Sequence, residues 1–329
     1  MGAIVGSYLE SEVSLLLSDA PSAKYADYLP NAEYCDRLRD YAVASADVIA
    51  MMVGALAERI LQRRGTDVVL VSIARAGTPV GVLVKRWLAF VHGLDVRHFS
   101  ISIANGVVDE SALSWLTRRC LADRLQFIDG WTSKGTVARL LHRTCRADRW
   151  SGIDPTLAVV VDPVAAAGIS ATRDDVLLPH ACLGAQMAGL LGAPQHSSLA
   201  GRRLFHGVDV RRDLRGQDLT RWYLDQVEAR FGAVRTASTL RSEDGDHSAG
   251  IAHARLRQSA VVAARLGLGV NDPINVGTSE AARALFRPNP RQLVVRSKNA
   301  ATDLLCDVAE QRNVPIELDP SLLVDAIAV

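Results

Sequence analysis

Residues 127–136, Phe-Ile-Asp-Gly-Trp-Thr-Ser-Lys-Gly-Thr, have the composition in this chain best suited to chemistry. They lie between an apolar segment, 125–128, and a helix-like segment, 137–142, which predicts a strand-to-helix turn. Such a turn can direct backbone N–H groups and hydroxyls at an anion, with a helix N-terminus behind them. Lys134 precedes the last glycine, whereas the lysine of a nucleotide P-loop follows it. The turn therefore predicts a sugar-phosphate site, with Asp129 placed for ribose hydroxyls or a metal; a turn without a ligand is the alternative.

Alternating strand and helix patterns surround this turn. Apolar, β-branched runs predict strands at 68–73, 96–103, 125–128 and 157–161. Helical patterns cover 40–62, 80–91, 110–122 and 137–142. This order predicts an α/β fold with a mostly parallel sheet flanked by helices. Ligands of such sheets bind where strands end and helices begin, so the 127–136 turn lies where a site is expected.

A polar stretch without apolar periodicity divides the chain. We predict a first domain over 1–235, a linker over 236–249 and a small α/β domain over 250–329. In the second domain, helices are expected at 251–267, 280–286 and 302–311, and strands at 293–295 and 314–316. A domain of roughly 80 residues is an ordinary size.

The composition of the 329-residue chain is that of a globular protein, with 49% hydrophobic and 22% charged residues. A net charge of +1 provides no global attraction for nucleic acid or an anionic membrane. The five cysteines are scattered without a C-x-x-C pair, which argues against structural zinc and a disulfide framework. No signal-like or membrane-length apolar run is present, so we predict a cytoplasmic protein, with a homodimer as the default oligomer.

Several segments together resemble a known family. Residues 71–79 are similar to the pyrophosphate loop of type I phosphoribosyltransferases, and 127–136 to a variant of their phosphoribosyl-pyrophosphate loop. The match is closest to a divergent, tellurium-resistance-associated group often named StiP-type cysteine protease. Further similar segments are 6–9, 98–103, 174–179 and 205–207, and the resemblance covers about residues 5–232. It implies a phosphoribosyltransferase-like fold.

The resemblance also implies two phosphate loops and a magnesium-dependent reaction. The expected catalytic residues are Asp129, Lys134 and Arg75, and Mg²⁺ would reach Asp129 indirectly, together with the substrate. Pyrophosphate would be held by Ser72, Ala74, Arg75, Ala76, Gly77 and Thr78. The phosphate and ribose would be held by Asp129, Gly130, Trp131, Thr132, Ser133, Lys134, Gly135 and Thr136. A surface ion pair of Arg75, a solvated Lys134 and a core position for Trp131 are the structural alternatives.

Four further residues are candidates for an acceptor pocket: Asp162, Asp175, His180 and Cys182. Asp162 follows the 157–161 strand and is expected at the same sheet edge as Asp129. A helix cap or turn former is the alternative for Asp162. For the other three, a structural role is the alternative.

The segment 275–285 resembles the glycine-led helix start of Pelota- and ribosomal-L7Ae-like RNA-binding domains. That resemblance implies RNA contacts by Asn275, Gly277, Glu280 and Arg283. A small domain that only packs or dimerises is the alternative.

From these resemblances we expect a phosphoribosyltransferase acting on phosphoribosyl pyrophosphate, or on a ribose 5-phosphate nucleotide, with a nucleobase-like acceptor. The usual loop has two adjacent acids where this chain has only Asp129, which favours a non-catalytic, nucleotide-sensing, RNA-binding regulator as the alternative. A cysteine protease is the remote alternative. It would use Cys182 with His180, which would share one face of a strand.

Overall fold

A computed structural model describes residues 14–15, 18–19, 28–104, 106–182, 207–208, 219–240, 247–269 and 272–329. Two of the segments behind the family resemblance, 6–9 and 205–206, lie outside these residues. So does the central part of the predicted linker, 241–246.

A parallel sheet forms the centre of the first domain. Its strands in spatial order are β1 (Ser14–Leu15), β4 (Arg97–Ala104), β3 (Val69–Ala74), β6 (Leu125–Trp131), β7 (Leu157–Val161) and β8 (Ile169–Thr172). All neighbours on this path pair in parallel, while β5 (Val107–Val108) pairs antiparallel to β4. A separate parallel pair joins β2 (Ser18–Asp19) to β9 (Gly207–Val208). The predicted α/β class with a mostly parallel sheet is confirmed.

Helices cover both faces of this sheet. On one face lie α1 (Ala32–Ala44), α2 (Ala46–Arg64), α3 (Gly77–His92) and α6 (Thr220–Glu228), with α7 (Phe231–Leu240) packed on α2. On the other lie α4 (Glu110–Thr117) and α5 (Thr136–Cys145). Alternate strand residues enter the two cores, so Leu70 packs in one and Val71 in the other. Burial of both faces explains why these strands are apolar runs.

The second domain is a four-stranded sheet with helices. The chain passes through α8 (His247–Arg265), β10 (Asn275–Val276), α9 (Thr278–Phe286), β11 (Leu293–Val295), α10 (Ala300–Gln311), β12 (Ile316–Leu318) and β13 (Ala326–Ala328). The strand order is β10-β13-β11-β12, with β13 antiparallel to both neighbours and β11 parallel to β12. This confirms the small C-terminal α/β domain.

Several predicted boundaries were wrong, among them that of the strand expected over 314–316, which is Ile316–Leu318. The single helix expected over 40–62 is two helices that meet at 57°, and Ser45 at the break donates its hydroxyl to the carbonyl of Tyr41, a local bond that bends helices. The helix expected over 110–122 ends at Thr117. Strand β6 runs three residues past Ile128, because Asp129 and Trp131 pair with β7. Pairing with a neighbouring strand is not visible in the local sequence.

One bent helix pair is the candidate membrane span found among the described residues. Within the described residues no single helix is long and apolar enough to cross a bilayer. Helices α1 and α2 pass the length and composition test only when taken together, across their bend.

The two domains contact each other through the start of α9. The carboxylate of Asp175, after β8, accepts hydrogen bonds from the backbone N–H of Thr278 (2.8 Å), the hydroxyl of Thr278 (2.9 Å) and the backbone N–H of Asp325 (2.7 Å). Ser279 accepts from Leu178 N–H at 2.9 Å. Helix α10 also packs on α1. These polar contacts fix the second domain beside the carboxyl end of β6.

Candidate functional site

The 127–136 segment forms the end of β6 and the turn into α5. Thr132 N–H donates to the carbonyl of Val161 (2.9 Å), which ties the turn to β7. Gly135 has φ +70°, a left-handed conformation that glycine adopts without strain. It is the N-cap residue of α5, and no side chain caps that helix. The N–H groups of the first helical turn are therefore available to an external acceptor.

A cleft of about 150 Å³ lies between this turn and the second domain. From the first domain it is lined by Asp129, Trp131, Thr132, Ser133, Lys134, Gly135, Thr136, Val137 and Ala138. From the second domain it is lined by Pro273, Ile274, Asn275, Glu280 and Arg283. Seven of the eight predicted phosphate and ribose residues thus line the same cavity as three of the four predicted RNA-contact residues. Gly130 and Gly277 are the two that do not line it.

Trp131 links the two walls of the cleft. Its indole N–H donates to a carboxylate oxygen of Glu280 at 2.7 Å. The other oxygen of Glu280 accepts from Arg283 at 3.0 Å, and the guanidinium lies 5.9 Å from the Trp131 ring centre. The Nε atom of Arg283 is buried and has no hydrogen-bond partner in the part of the chain that the structure describes. Arg283 therefore retains one donor that a bound acceptor would satisfy.

The start of α9 is largely occupied by contacts within the protein. Val276 N–H donates to the hydroxyl of Ser133 at 2.9 Å, and the Asn275 side-chain amide donates to Ala328 O at 3.1 Å. A Cβ atom at Gly277 would lie 3.2 Å from a carboxylate oxygen of Asp175. Among the four RNA-contact residues, Glu280 and Arg283 thus have the side chains best placed to reach a ligand.

Asp129 is the buried carboxyl of the cleft, with only 7% of its surface exposed. Burial raises its pKa to about 7. The backbone N–H of Gly130 and the charge of Arg283 lower the pKa, but burial has the larger effect. The hydrogen bond from Gly130 N–H is 2.8 Å long. A carboxyl with this pKa is partly protonated at neutral pH, so it can donate to or accept from a hydroxyl group.

The net charge of the cleft changes when the carboxyl group of Asp129 gains or loses its proton. Glu280 and Arg283 form an ion pair, while no ion pair of Lys134 is found among the described residues. When Asp129 is protonated, Lys134 supplies an uncompensated positive charge next to the uncapped N-terminus of α5. Both favour a bound anion.

The predicted pyrophosphate loop lies next to β6. A Cβ atom at Gly77 would overlap the carbonyl oxygen of Ile128 and lie 3.0 Å from Asp129 Cα, so only glycine allows this approach. The hydroxyl of Thr78 hydrogen-bonds to that of Ser100 at 2.8 Å. The Ala74–Arg75 peptide is cis. None of the six residues 72, 74, 75, 76, 77 and 78 lines the cleft, so their part in ligand binding stays a prediction.

Asp162 is completely buried at the end of β7, next to β6. Its carboxylate accepts from the backbone N–H groups of Ala166 and Ala167, both at 2.9 Å. The Thr132 hydroxyl and the Arg173 guanidinium also donate to it. These partners hold the 162–168 loop and the 132–136 turn in place. Asp162 does not line the cleft.

His180 and Cys182 lie on a short 3₁₀ turn, Pro179–Cys182, and not on the strand assumed for a protease pair. The His180 ring contacts Ala76 O at 3.1 Å and the Tyr223 hydroxyl at 3.4 Å. Burial lowers the His180 pKa to about 4 and raises the Cys182 pKa to about 12. The imidazole is therefore neutral and the thiol protonated at neutral pH. None of the four acceptor-pocket candidates lines the cleft, and their part in binding an acceptor stays a prediction.

A metal ion would depend on oxygen atoms of a ligand. In the described ranges no group of three or more His, Cys, Asp and Glu side chains is arranged to hold a cation. Asp129 by itself does not form a protein-only site for Mg²⁺, which prefers octahedral oxygen coordination. The indirect Mg²⁺ contact remains a prediction.

Two features of the site were missed at the sequence level. One is that the turn and the second domain share a cavity, and the other is the role of Asp175 in joining the domains. An acid that follows a strand and a helix N-terminus elsewhere in the chain give no local signal of their contact, because it depends on tertiary packing.

Comparison with known proteins indicates a protein family that differs from the predicted phosphoribosyltransferases. A family model described as tellurite-like stress resistance cysteine protease StiP matches residues 21–228. A PELOTA RNA binding domain model matches residues 256–329. The cysteine protease StiP of Acinetobacter baylyi is 32% identical over 177 residues, which are 53% of this chain and 44% of that protein. The chain thus spans less than half the length of this relative. No solved structure is significantly similar.

These matches confirm the resemblance to the StiP group and to a Pelota domain. The predicted phosphoribosyltransferase function was wrong, as were the transferase class and the magnesium-dependent transfer from phosphoribosyl pyrophosphate, while a contact with Mg²⁺ as such stays a prediction. The family and the Acinetobacter relative are named as cysteine proteases, which are hydrolases, and nothing supports a phosphoribosyltransferase-like assignment. The family model covers well over half of the chain, which therefore belongs to the family of tellurite-like stress resistance cysteine protease StiP proteins.

Proposed function

We propose that the protein binds RNA through the cleft between the 132–136 turn and helix α9. The observation that carries this proposal is a single cavity lined by both the phosphate-type turn and the start of the Pelota-matched domain. A ribose 5-phosphate unit, which the sequence suggested for the turn, is also the repeating unit of RNA. One ligand therefore accounts for both halves of the site.

Each half supplies a different kind of contact. The uncapped N–H groups of α5, the hydroxyl of Thr136 and the charge of Lys134 suit a phosphate. Asp129, partly protonated at neutral pH, suits a ribose hydroxyl. The 2′-hydroxyl is the group by which proteins distinguish RNA from DNA, so we expect a preference for RNA over DNA of the same sequence.

The test is fluorescence anisotropy with a labelled single-stranded RNA of about twelve nucleotides. We expect Lys134→Ala to weaken binding roughly tenfold, because a charge-assisted bond to phosphate contributes about 1.5 kcal/mol. Lys298→Ala is the matched control, since Lys298 is exposed and outside the cleft. Arg283→Ala should also weaken binding. Wild-type protein that binds no RNA, or equal affinities for the two lysine variants, would refute the proposal.

Two accessory predictions are tested in the same assay. Titration with Mg²⁺ or a chelator shows whether the ion contributes through RNA phosphates, and competition by a mononucleotide shows whether one ribose phosphate unit is sufficient. Sedimentation of the free protein and the complex tests the predicted homodimer.

Cysteine-dependent proteolysis is the second candidate, because the family and the Acinetobacter relative are named as cysteine proteases. Cys182 is its nucleophile, since it shares the 179–182 turn with His180. A nucleophilic cysteine needs a lowered pKa and access to solvent, whereas burial raises the Cys182 pKa to about 12. Among the other cysteines, Cys35 is half-buried and the rest are buried. This activity would require the 179–182 turn to open.

Casein hydrolysis tests this second candidate. Activity in the wild type that is lost in Cys182→Ser and kept in Cys120→Ser would support it. Cys120 is the control because it is buried in the core on the other face of the sheet. Absence of hydrolysis in the wild type, or equal activity in both variants, would contradict it.

A further inference from the structure

Helix α5, which begins at the cleft, has a continuous basic face. Its apolar side is buried through Ala138, Leu140, Leu141 and Cys145. Its exposed side consists of Arg139, His142, Arg143 and Arg146, which we call the basic stripe. The spacing of i, i+3, i+4 and i+7 places these four residues on one side of a helix. At 1.5 Å per residue they extend over about 10 Å.

The basic stripe is connected to the cleft. Arg139 donates to the carbonyl of Lys134 at 2.6 Å, so its guanidinium lies against the turn. Thr136, Val137 and Ala138, the first turn of the same helix, line the cleft itself. A chain that leaves the cleft over the start of α5 therefore meets Arg139 first and then Arg143 and Arg146.

The charges of the stripe are not compensated by acidic neighbours. Among the described residues, no carboxylate forms an ion pair with Arg139, His142, Arg143 or Arg146 (compare Arg149, just beyond the helix, which pairs with Glu110 at 2.6 Å). Asp148 follows in the next turn without a bridge to the stripe. Other exposed arginines of the domain vary: Arg37 and Arg63 are paired with acids, whereas exposed arginines such as Arg118 and Arg221 have no ion pair within the described residues. The stripe is therefore a local positive surface on a protein with a net charge of only +1.

Helix stability accounts for only part of this pattern. Basic residues near a helix C-terminus interact favourably with the helix dipole, which explains His142, Arg143 and Arg146. The dipole does not explain Arg139, which lies in the first half of the helix. An ordered row of cations that starts at an anion-binding turn instead matches the repeating phosphates of an extended nucleic acid strand.

We propose that single-stranded RNA bound in the cleft continues along the basic stripe of α5, so that successive phosphates contact Arg139, Arg143 and Arg146. This inference depends on the RNA binding proposed above. It adds the path that the RNA takes beyond the cleft and the positively charged surface along which it lies. RNA is favoured over an anionic membrane because the stripe leads out of a concave site, whereas a membrane requires a flat, accessible face.

The experiment compares two double charge reversals on the full chain. Arg143→Glu/Arg146→Glu alters the stripe. Arg221→Glu/Arg235→Glu makes the same change in net charge on exposed positions of α6 and α7, in the helical layer on the opposite face of the sheet. Each protein is titrated with single-stranded RNA of about four and about twelve nucleotides at several salt concentrations. Thermal unfolding of both variants controls for loss of the helix.

For the longer RNA, we expect the stripe variant to bind at least tenfold more weakly and its salt slope to fall by about 1.4, since each lost phosphate contact on a single strand contributes about 0.7. Its affinity for the shorter RNA should match that of the wild type, as should both affinities of the α6/α7 variant. If both variants bind the longer RNA equally while Lys134→Ala still weakens binding, the path is refuted but the cleft is not. If the wild type binds neither RNA, RNA binding itself fails. Binding of the stripe to phosphatidylserine vesicles without RNA binding would also overturn the inference.

Discussion

The neighbouring strands β6 and β7 each end near a buried aspartate, yet the two carboxyl groups differ in how many hydrogen bonds they accept. Asp162 at the end of β7 accepts hydrogen bonds from two backbone N–H groups, one hydroxyl and one guanidinium. Asp129 in β6 accepts one from Gly130, and burial raises its pKa to about 7. A carboxylate with every acceptor site occupied holds loops together. One with a single partner beside a cleft retains capacity for a ligand.

The same contrast applies to the two ways in which α9 meets the first domain. At its N-terminus, the half-buried Asp175 accepts three hydrogen bonds from Thr278 and Asp325, so contacts within the protein occupy its carboxylate. One turn further on, Glu280 and Arg283 line an open cleft. The interface is therefore part structural contact and part candidate binding site, and the two parts can be separated by mutation.

The largest effect is expected for Asp162→Ala. It leaves the buried N–H groups of Ala166 and Ala167 and the charge of Arg173 without their acceptor. Breaking such a buried pair costs roughly 4 kcal/mol of unfolding free energy. Urea denaturation measures this loss, with Asp174→Ala, an exposed neighbour, as the control expected to change stability by less than about 0.5 kcal/mol. A small loss for Asp162→Ala would show that its partners find other acceptors.

The next effect concerns the domain contact. Asp175→Ala removes the acceptor of three hydrogen bonds, and we expect a loss of roughly 3 kcal/mol together with faster proteolysis between the domains. Thr278→Val removes only the hydroxyl and should cost about 1 kcal/mol. Equal losses for the two variants would mean that the backbone donors of Thr278 and Asp325 contribute nothing.

A gain in stability is expected for Asp129→Asn at pH 8. The folded-state pKa of about 7 lies above the ordinary value of 3.8, so the contribution of this carboxyl to stability is full below about pH 4 and is lost as pH rises through 7. The difference corresponds to at most about 4 kcal/mol. We expect roughly half, because an asparagine amide must also be buried. Urea denaturation at pH 5 to 8 should show a weaker pH dependence in the variant; identical profiles would place the pKa of Asp129 near its ordinary value.

The smallest expected effect is on RNA affinity. Deprotonation of Asp129 adds a negative charge to a cleft that already has the Glu280–Arg283 pair, so affinity should fall by about tenfold when pH rises from 6 to 8. The short RNA should be used, so that contacts with the basic stripe do not contribute to the measured affinity. Asp129→Asn should bind with nearly constant affinity over this range. An unchanged pH dependence in the variant would assign the effect to another group.

The sequence by itself determined the layers of the fold and the local form of the site. Periodicity placed β3, β4, β6, β7, β11 and most helices, because each pattern reflects burial of the residues that carry it, but it did not predict β8, β10 or β13. Gly135 and the polar run before α5 predicted the strand-to-helix turn for the same local reason, and the turn is present. Function was not determined in this way: segments that resemble a phosphoribosyltransferase belong to a chain of the StiP family.

Only the tertiary structure decided which carboxylates have their hydrogen-bond acceptors occupied. It also decided which part of the second domain lies opposite the 132–136 turn. Asp129 and Asp162 both follow apolar strand residues and are locally alike. Asp162, however, has partners in Thr132, the 162–168 loop and Arg173, whereas Asp129 accepts one hydrogen bond from Gly130 and lies in a cleft lined by the second domain. The extension of β6 to Trp131 depends on β7, and the cleft exists because Asp175 holds the start of α9 beside β6. Such contacts join residues that are far apart in the chain. Together they determine how deeply each carboxyl group is buried and how many hydrogen bonds it accepts, and these two properties set its pKa.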